Sequence, residues 1–276
     1  MTTVRVAAVQ LTSGTDVTRN VDVAVELVRD AARDGATYVQ VPEYFNYLGP
    51  QAKNLDVAES IPGPTTQRMS ELARSCATAI HLGSMLERSS QESKCYNTSV
   101  VLDASGAIVA TYRKAHLFDI DVPGAVVQRE SDAIVAGDQL VVANVADLAL
   151  GLSVCFDLRF PELFRQLALH GATVLAIPAA FNALTGRAHW ETLVKARAIE
   201  NHAFVVAAAQ VGTTTEGVAT FGHSLIVGPW GEVLAESTSE GTDVICATLD
   251  LDDVVRRRQQ INVLGLRRPA VYDSLP

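Results

Sequence analysis

Apolar and polar positions along this chain fall into two rhythms. Short unbroken apolar runs, such as Val4–Val9 and Leu148–Val154, read as buried strands. Between them, apolar positions three and four apart, such as Val21, Val25 and Val28, read as helices that bury one face. Taken in order, a strand at Val4–Val9 precedes a helix that opens through polar Thr15–Asn20, carries Val21, Val25, Leu27, Val28 and Ala32, and ends at Gly35. The run G-A-T-Y-V-Q-V-P-E is a strand with Glu43 at its carboxyl end. Pro62 to Pro64 opens a second helix through Ala77, and Ala79–Met85 is the next strand. Asn97–Leu102 and Ile108–Arg113 flank A-S-G-A as a hairpin whose second arm delivers Lys114. The strand Leu148–Val154 then ends on Cys155. Pro161 opens a helix to His170 that carries Leu163, Phe164, Leu167 and Ala168, and G-A-T-V-L-A-I-P-A follows as a strand. A helix at Ala188–Asn201, a strand at Phe204–Ala209, and a hairpin of Ser224–Val227 and Glu232–Glu236 around G-P-W-G complete the series.

Strand, helix, strand, helix, strand, hairpin thus occurs twice, over about 4–113 and 148–237, and the two G-A-T strands match at Gly, Ala, Thr and Pro with the same spacing. The pattern predicts two similar mixed sheets stacked face to face with helices on both outer faces, a four-layer α-β-β-α sandwich in one domain over 1–276. The copies differ at their strand ends. Glu43 closes one G-A-T strand where Ala179 closes the other, and Cys155 ends a strand whose counterpart ends near Gln10. Ligands of open α/β sheets are held outside the carboxyl ends of strands, and Glu43, Lys114 and Cys155 all stand there.

Composition narrows the reading. The 276 residues are 48% hydrophobic and 19% charged, enough for a large core and unlike a disordered chain. With 22 basic and 31 acidic side chains, the net charge of −9 argues against nucleic acid or an anionic membrane as partner. No basic region followed by an apolar core stands at the start, and no apolar run reaches membrane-spanning length, so a cytoplasmic protein is expected. Cys76, Cys95, Cys155 and Cys246 are scattered and suggest neither a disulfide framework nor a metal site.

Cys155 sits at a strand-to-helix turn, where backbone N–H groups lacking intrahelical partners can stabilise a thiolate and later an oxyanion. Position alone also fits one more buried small hydrophobe. Glu43 and Lys114 likewise read as an ordinary salt bridge when taken out of context. His116, His189 and His223 read as hydrogen-bonded structural residues, although a cysteine–histidine hydrolase would pair Cys155 with His189 or His223. The basic stretch Arg256, Arg257, Arg258, Arg267 and Arg268 reads as a solvated or subunit-facing surface.

Three ordered motifs raise the chemical reading above these. V-P-E-Y-F around Glu43, Y-R-K-A-H-L-F-D-I-D around Lys114 and S-V-C-F-D-L-R-F-P-E-L around Cys155 resemble the catalytic motifs of the nitrilase superfamily of carbon–nitrogen hydrolases, and the likeness runs from V-A-A-V-Q to R-R-P-A-V-Y. The resemblance implies the sandwich fold, a homodimer or higher homo-oligomer packed through the helix after the cysteine and the C-terminal extension, and a second glutamate after the lysine hairpin, matched by Glu130 in Q-R-E-S-D. In that scheme Glu43 takes the thiol proton of Cys155 and returns it to the leaving amine. Lys114 and the backbone N–H of Phe156 hold the tetrahedral oxyanion, and Glu130 positions the substrate or the water. A small amide is attacked, the amine leaves, and the thioester is hydrolysed, with no metal or organic cofactor.

Within the superfamily, A-F-N-A-L-T-G-R-A-H-W-E, K-A-R-A-I-E-N and H-L-F-D-I-D-V-P-G resemble the branch of deaminated glutathione amidases and omega-amidases, which act on amides of short 2-oxo dicarboxylates. F-V-V-A-A-A-Q and F-P-E-L lean toward the former, F-N-A-L-T-G and F-D-I-D-V-P-G toward the latter. Arg187 departs from the branch's usual proline and Phe156 from its usual tyrosine. A carboxylate-bearing substrate needs a cationic anchor, for which Arg159 and then Arg187 are candidates, with Phe181 and Asn182 beside them. The same residues would serve an acyl transferase that passes the thioester to an amine, and the fold alone would serve a binding protein.

Overall fold

The computed structural model describes residues 2–122, 126–215, 217–238 and 240–272. Its first sheet is built from Thr3–Gln10 (β1), Tyr38–Gln40 (β2), Ala79–His81 (β3), Met85–Arg88 (β4), Cys95–Leu102 (β5) and Ile108–Arg113 (β6). A small hairpin, Asp119–Val122 (β7) and Val126–Arg129 (β8), follows. The second sheet takes Val142–Val145 (β9), Leu148–Leu152 (β10), Val174–Ala176 (β11) and Phe204–Ala207 (β12). Another short pair, Val211–Thr213 (β13) and Ala219–Phe221 (β14), intervenes before Leu225–Val227 (β15) and Val233–Glu236 (β16) complete that sheet. Asp243–Asp250 (β17) returns to the first sheet.

The order β17-β1-β2-β3-β5, with β6 beyond β5, has the same polarity as β9-β10-β11-β12-β15-β16. In each sheet the three central strands are parallel and their neighbours antiparallel. Side chains alternate along β1 as the pleat requires. Val4, Val6 and Ala8 join the core shared with the second sheet, whereas Ala7, Val9 and Leu11 pack with the helices Val17–Arg33 (α1) and Pro64–Cys76 (α3), between which lies the one-turn Asn54–Val57 (α2). The second sheet is covered by Pro161–Leu169 (α4) and Ala183–Asn201 (α5) through Phe164, Leu167, Trp190, Val194 and Ala198. The result is the four-layer α-β-β-α sandwich.

Local chemistry explains the boundaries. α1 begins where Asp16 accepts the Arg19 N–H at 3.0 Å, and it buries Val21, Ala24, Val25, Val28 and Ala31 along one stripe. The expected strand Ala79–Met85 is broken in two. Gly83 has φ +56°, and a Cβ there would lie 2.1 Å from the Pro42 carbonyl oxygen, so the chain bends around the segment that carries Glu43. β9 and β17 were not expected. The β9–β10 turn uses Ala146 and Asp147, both at positive φ, in place of the Asn-Gly that signals such a hairpin. Of the late arginines, Arg256 and Arg257 pair with Asp253 within Asp252–Gln260 (α6), and Arg258 ties that helix to the carbonyls of Ala172 and Asn201. Beyond α6, among the described residues, the short helix Pro269–Tyr272 (α7) follows. Among the described residues, no helix is long and apolar enough to cross a membrane.

Candidate active site

Glu43, Lys114, Glu130 and Cys155 come together in the wall of one cavity of about 330 Å³ at the carboxyl ends of the central strands. Glu43 follows β2, Lys114 follows β6, Glu130 opens a 3-10 turn after β8, and Cys155 opens the 3-10 turn Cys155–Arg159 three residues beyond β10. All four are buried. Lys114 Nζ lies 3.0 Å from Glu43 Oε1 and 2.8 Å from Glu130 Oε2. Glu43 Oε2 accepts the Ala180 N–H at 2.8 Å. Glu130 also accepts from the Phe118 N–H (2.6 Å) and the Tyr44 hydroxyl (2.9 Å).

Burial and charge pull these groups in different directions. Burial penalises the Lys114 ammonium, but the facing carboxylates of Glu130 and Glu43 outweigh it and hold the lysine charged well above its ordinary range. Burial raises Glu130, and Lys114 with the Phe118 N–H and Tyr44 hydroxyl brings it below the ordinary carboxylate value. The Cys155 thiol is pushed up, first by burial and then by the charge of the Glu43 carboxylate, with Lys114 opposing. The Cys155 N–H is committed to the Pro178 carbonyl at 2.9 Å, and the sulfur rests as a thiol beside a carboxylate. Cys155 itself has φ +49°, a left-handed conformation that costs a non-glycine residue energy and is frequent at functional turns.

The turn is braced from below. Asp157, fully buried, accepts the Val154 N–H and the Tyr112 hydroxyl, each at 2.8 Å, and the His116 Nδ1 and N–H at 2.7 and 3.0 Å. It thereby ties the Cys155 turn to the segment bearing Lys114. Gln210 donates to the Glu43 carbonyl at 3.0 Å and accepts the Ser13 N–H at 2.9 Å, joining the two halves behind the base. Neither was singled out from the sequence. Asp157 lies inside a quoted motif, but its side-chain partners Tyr112 and His116 are 45 and 41 residues away.

Phe156, Phe181 and Asn182 line the cavity. The two arginines do not. Arg159 lies behind that aromatic wall, its guanidinium 5.2 Å from the Phe181 ring centre and 5.8 Å from that of Phe156, and it donates to His189 Nδ1 at 3.3 Å. Desolvation lowers its pKa, and it forms no ion pair among the described residues. Arg187 is on the exposed face of α5, away from the cavity, because the helix begins at Ala183 rather than Ala188 and turns it outward. His116 pairs with Asp157 and stacks on Phe160, His189 faces Arg159, and His223 faces Glu236; none lines the cavity. Pro123 and Gly124, the end of the H-L-F-D-I-D-V-P-G motif, lie outside the described residues. The described residues contain no cluster of His, Cys, Asp and Glu arranged to hold a metal ion.

This geometry can be set beside known proteins. The family model for carbon-nitrogen hydrolases matches residues 5–259. The human deaminated glutathione amidase is 42% identical over 276 residues, 98% of this chain and 84% of that protein. The human omega-amidase NIT2 is 38% identical over 272 residues, 99% of this chain and 98% of that protein. Among solved structures, the C. elegans NitFhit protein superposes with a TM-score of 0.92 at 36% identity, over 98% of this chain and 66% of that longer one. Saccharomyces cerevisiae Nit3, a member of branch 10 of the nitrilase superfamily, superposes with a TM-score of 0.86 at 28% identity, over 97% and 96%. From its first strand into α6, then, the chain belongs to the carbon–nitrogen hydrolase family of the nitrilase superfamily, and its chemistry is that of an amidase.

Proposed function

We propose that Cys155 is the nucleophile, Glu43 the general base and acid, Lys114 the oxyanion donor and Glu130 the residue that orients the lysine. The observation that carries this reading is that the Cys155 thiol shares one cavity wall with a buried Glu43 carboxylate already held by Lys114 and the Ala180 N–H. The sulfur attacks the amide carbon while its proton passes to Glu43. Lys114 Nζ lies against Glu43 Oε1 and both Glu130 oxygens, and releasing the longer Glu130 contact, at 3.1 Å, turns one N–H to the tetrahedral oxyanion, which the backbone N–H of Phe156 shares. Glu43 returns the proton to the departing nitrogen, the C–N bond breaks, and a thioester remains. Glu43 then takes a proton from water as its oxygen attacks the thioester, releasing the carboxylic acid and the thiol.

For the substrate we favour an amide of a short 2-oxo dicarboxylate with a sizeable leaving amine, as in deaminated glutathione. Arg159 supplies the unpaired cation that the acyl carboxylate needs, reached past Phe156 and Phe181. The part of the lining carried by the segment after Glu43 includes the buried Asn54, whose carboxamide has no hydrogen-bond partner among the described residues. A neutral amide donor–acceptor suits a peptide-like leaving group, and released ammonia has no use for it. The omega-amidase reading, on 2-oxoglutaramate, is the alternative and uses the same acyl subsite. kcat/KM on the two amides in parallel, with Cys155→Ala as control, tests the choice. A preference for deaminated glutathione that Asn54→Ala erases supports the reading, and a preference for 2-oxoglutaramate unaffected by Asn54→Ala replaces it.

Apolar side chains exposed near the outer helices and the C-terminal segment, among them Ile199, Trp230, Leu266 and Val271, support a surface for a second copy of the chain, which light scattering of the purified protein checks. The four free thiols suit a reducing compartment such as the cytoplasm.

A further inference from the structure

The two glutamates beside Lys114 share a second donor. Asn97, on β5 and fully buried, directs its carboxamide Nδ2 to Glu43 Oε1 at 2.9 Å and to Glu130 Oε1 at 3.2 Å. Its Oδ1 is buried and makes no hydrogen bond. The orientation follows from the neighbours. Turning the amide over would satisfy no acceptor and would press Oδ1 against two carboxylates. The Asn97 carbonyl also accepts the Lys114 N–H at 2.9 Å, so one residue fixes the lysine's main chain and both acids.

That arrangement answers an electrostatic problem. Two buried carboxylates face a single cation, Lys114, and the other titratable groups around them, Tyr44 and Cys155, are neutral. Like charges sharing a site favour protonation of one of them. A primary amide is the neutral side-chain group that can donate to both acids at once, and the orphaned Oδ1 is the cost of pointing both N–H bonds the same way. With Oε1 engaged by Asn97 and Lys114, Glu43 presents a fixed edge to the thiol.

We propose that Asn97 is a positioning residue that clamps Glu43 to Glu130, easing the contact between the two carboxylates and holding Glu43 turned toward Cys155. This rests on the reading of Glu43 as the base. The test compares the wild type with Asn97→Leu, Asn97→Ser and Glu43→Gln. For each, the rate of Cys155 alkylation by iodoacetamide and kcat/KM for 2-oxoglutaramate are followed against pH, with Tm recorded separately. Asn97→Leu is expected to move the acid limb of both profiles upward by about one pH unit and to lower kcat by about 10- to 100-fold with little change in KM. Asn97→Ser, which retains one hydroxyl donor, is expected to show a smaller shift of the same sign, and it carries the test if the leucine variant does not fold. Acid limbs that coincide with the wild type in the folded variants, whatever happens to Tm, overturn the clamp. Glu43→Gln separates the two readings. If it abolishes the acid limb while the Asn97 variants leave theirs unmoved, only the clamp is rejected. If it leaves the rate and the limb intact, the base assignment fails and the clamp with it.

Discussion

The two halves of this molecule use one frame and place different chemistry on it. Val6 pairs with Tyr38 in the first sheet as Leu150 pairs with Val174 in the second, and Tyr38 and Val174 follow the same G-A-T triplet. Counting forward from these pairs, Leu11 is the equivalent of Cys155, and Ala179 the equivalent of Glu43. One half thus contributes a nucleophile where the other has a buried leucine, and the other contributes a carboxylate where the first has alanine. The second-half strand end is not idle, since Ala180, next to Ala179, donates its N–H to Glu43. A site composed this way exists only when both sheets are stacked.

The interior differs in the same sense. In the first sheet Tyr38, Gln40 and His81 form a buried polar chain, with the Tyr38 hydroxyl 3.1 Å from both Gln40 Oε1 and His81 Nδ1 and with Ser99 bonded to the other imidazole nitrogen. The corresponding second-sheet positions are Val174, Ala176 and Val206. Gln40 crosses the gap to donate to the Val206 carbonyl at 3.1 Å.

The largest effect is expected from removing the residues in which the halves differ. Cys155→Ala should lower kcat by at least about 10⁴-fold, and Glu43→Gln by roughly 10²- to 10⁴-fold, while urea midpoints stay close to wild type. Leu11→Cys, which places a thiol at the equivalent position of the other half, should restore nothing in the Cys155→Ala background. Lys114→Met should cost about 10²- to 10³-fold in kcat. It should also cost stability, because it leaves two buried carboxylates facing each other without their cation. Paired kinetics and denaturation curves separate the two losses.

The polar interior makes the next prediction. Burial lowers the pKa of His81 to about 3, so it is neutral in the fold, whereas the unfolded imidazole takes up a proton below about 6.5. Its contribution is therefore complete above pH 6.5 and is lost as the pH falls toward 3, amounting to about 4 to 5 kcal/mol at the acid end. Urea unfolding between pH 7 and pH 4 should show this slope, and His81→Asn should flatten it. The smallest effect concerns the anchor. Arg159→Leu should raise KM for a dicarboxylate amide about 10-fold and leave a neutral amide unchanged, and equal changes in both would remove the anchor role.

Much of this was legible in the residues. The G-A-T strands, the Cys155 turn and the A-S-G-A hairpin announced themselves because apolar period and turn chemistry are local. What stayed hidden depends on distance. β17 pairs with β1 across the whole chain, the β9–β10 turn uses residues without a turn signature, and Gly83 breaks a strand because of the Pro42 carbonyl. The site divides likewise. Glu43, Lys114, Glu130 and Cys155 stand in recognisable motifs, whereas Asn97, Asp157 and Gln210 act through partners that only folding brings near. Arg187 looked like a cation at the mouth until the early start of α5 turned it outward.

The central claim is that the acyl group passes through Cys155. The direct measurement is peptide mass spectrometry after acid quench of the enzyme turning over deaminated glutathione or 2-oxoglutaramate. The expected result is an increment equal to the acyl portion on the peptide containing Cys155, absent from Cys155→Ala. Turnover by Cys155→Ala, or the same increment on any other side chain, would contradict it.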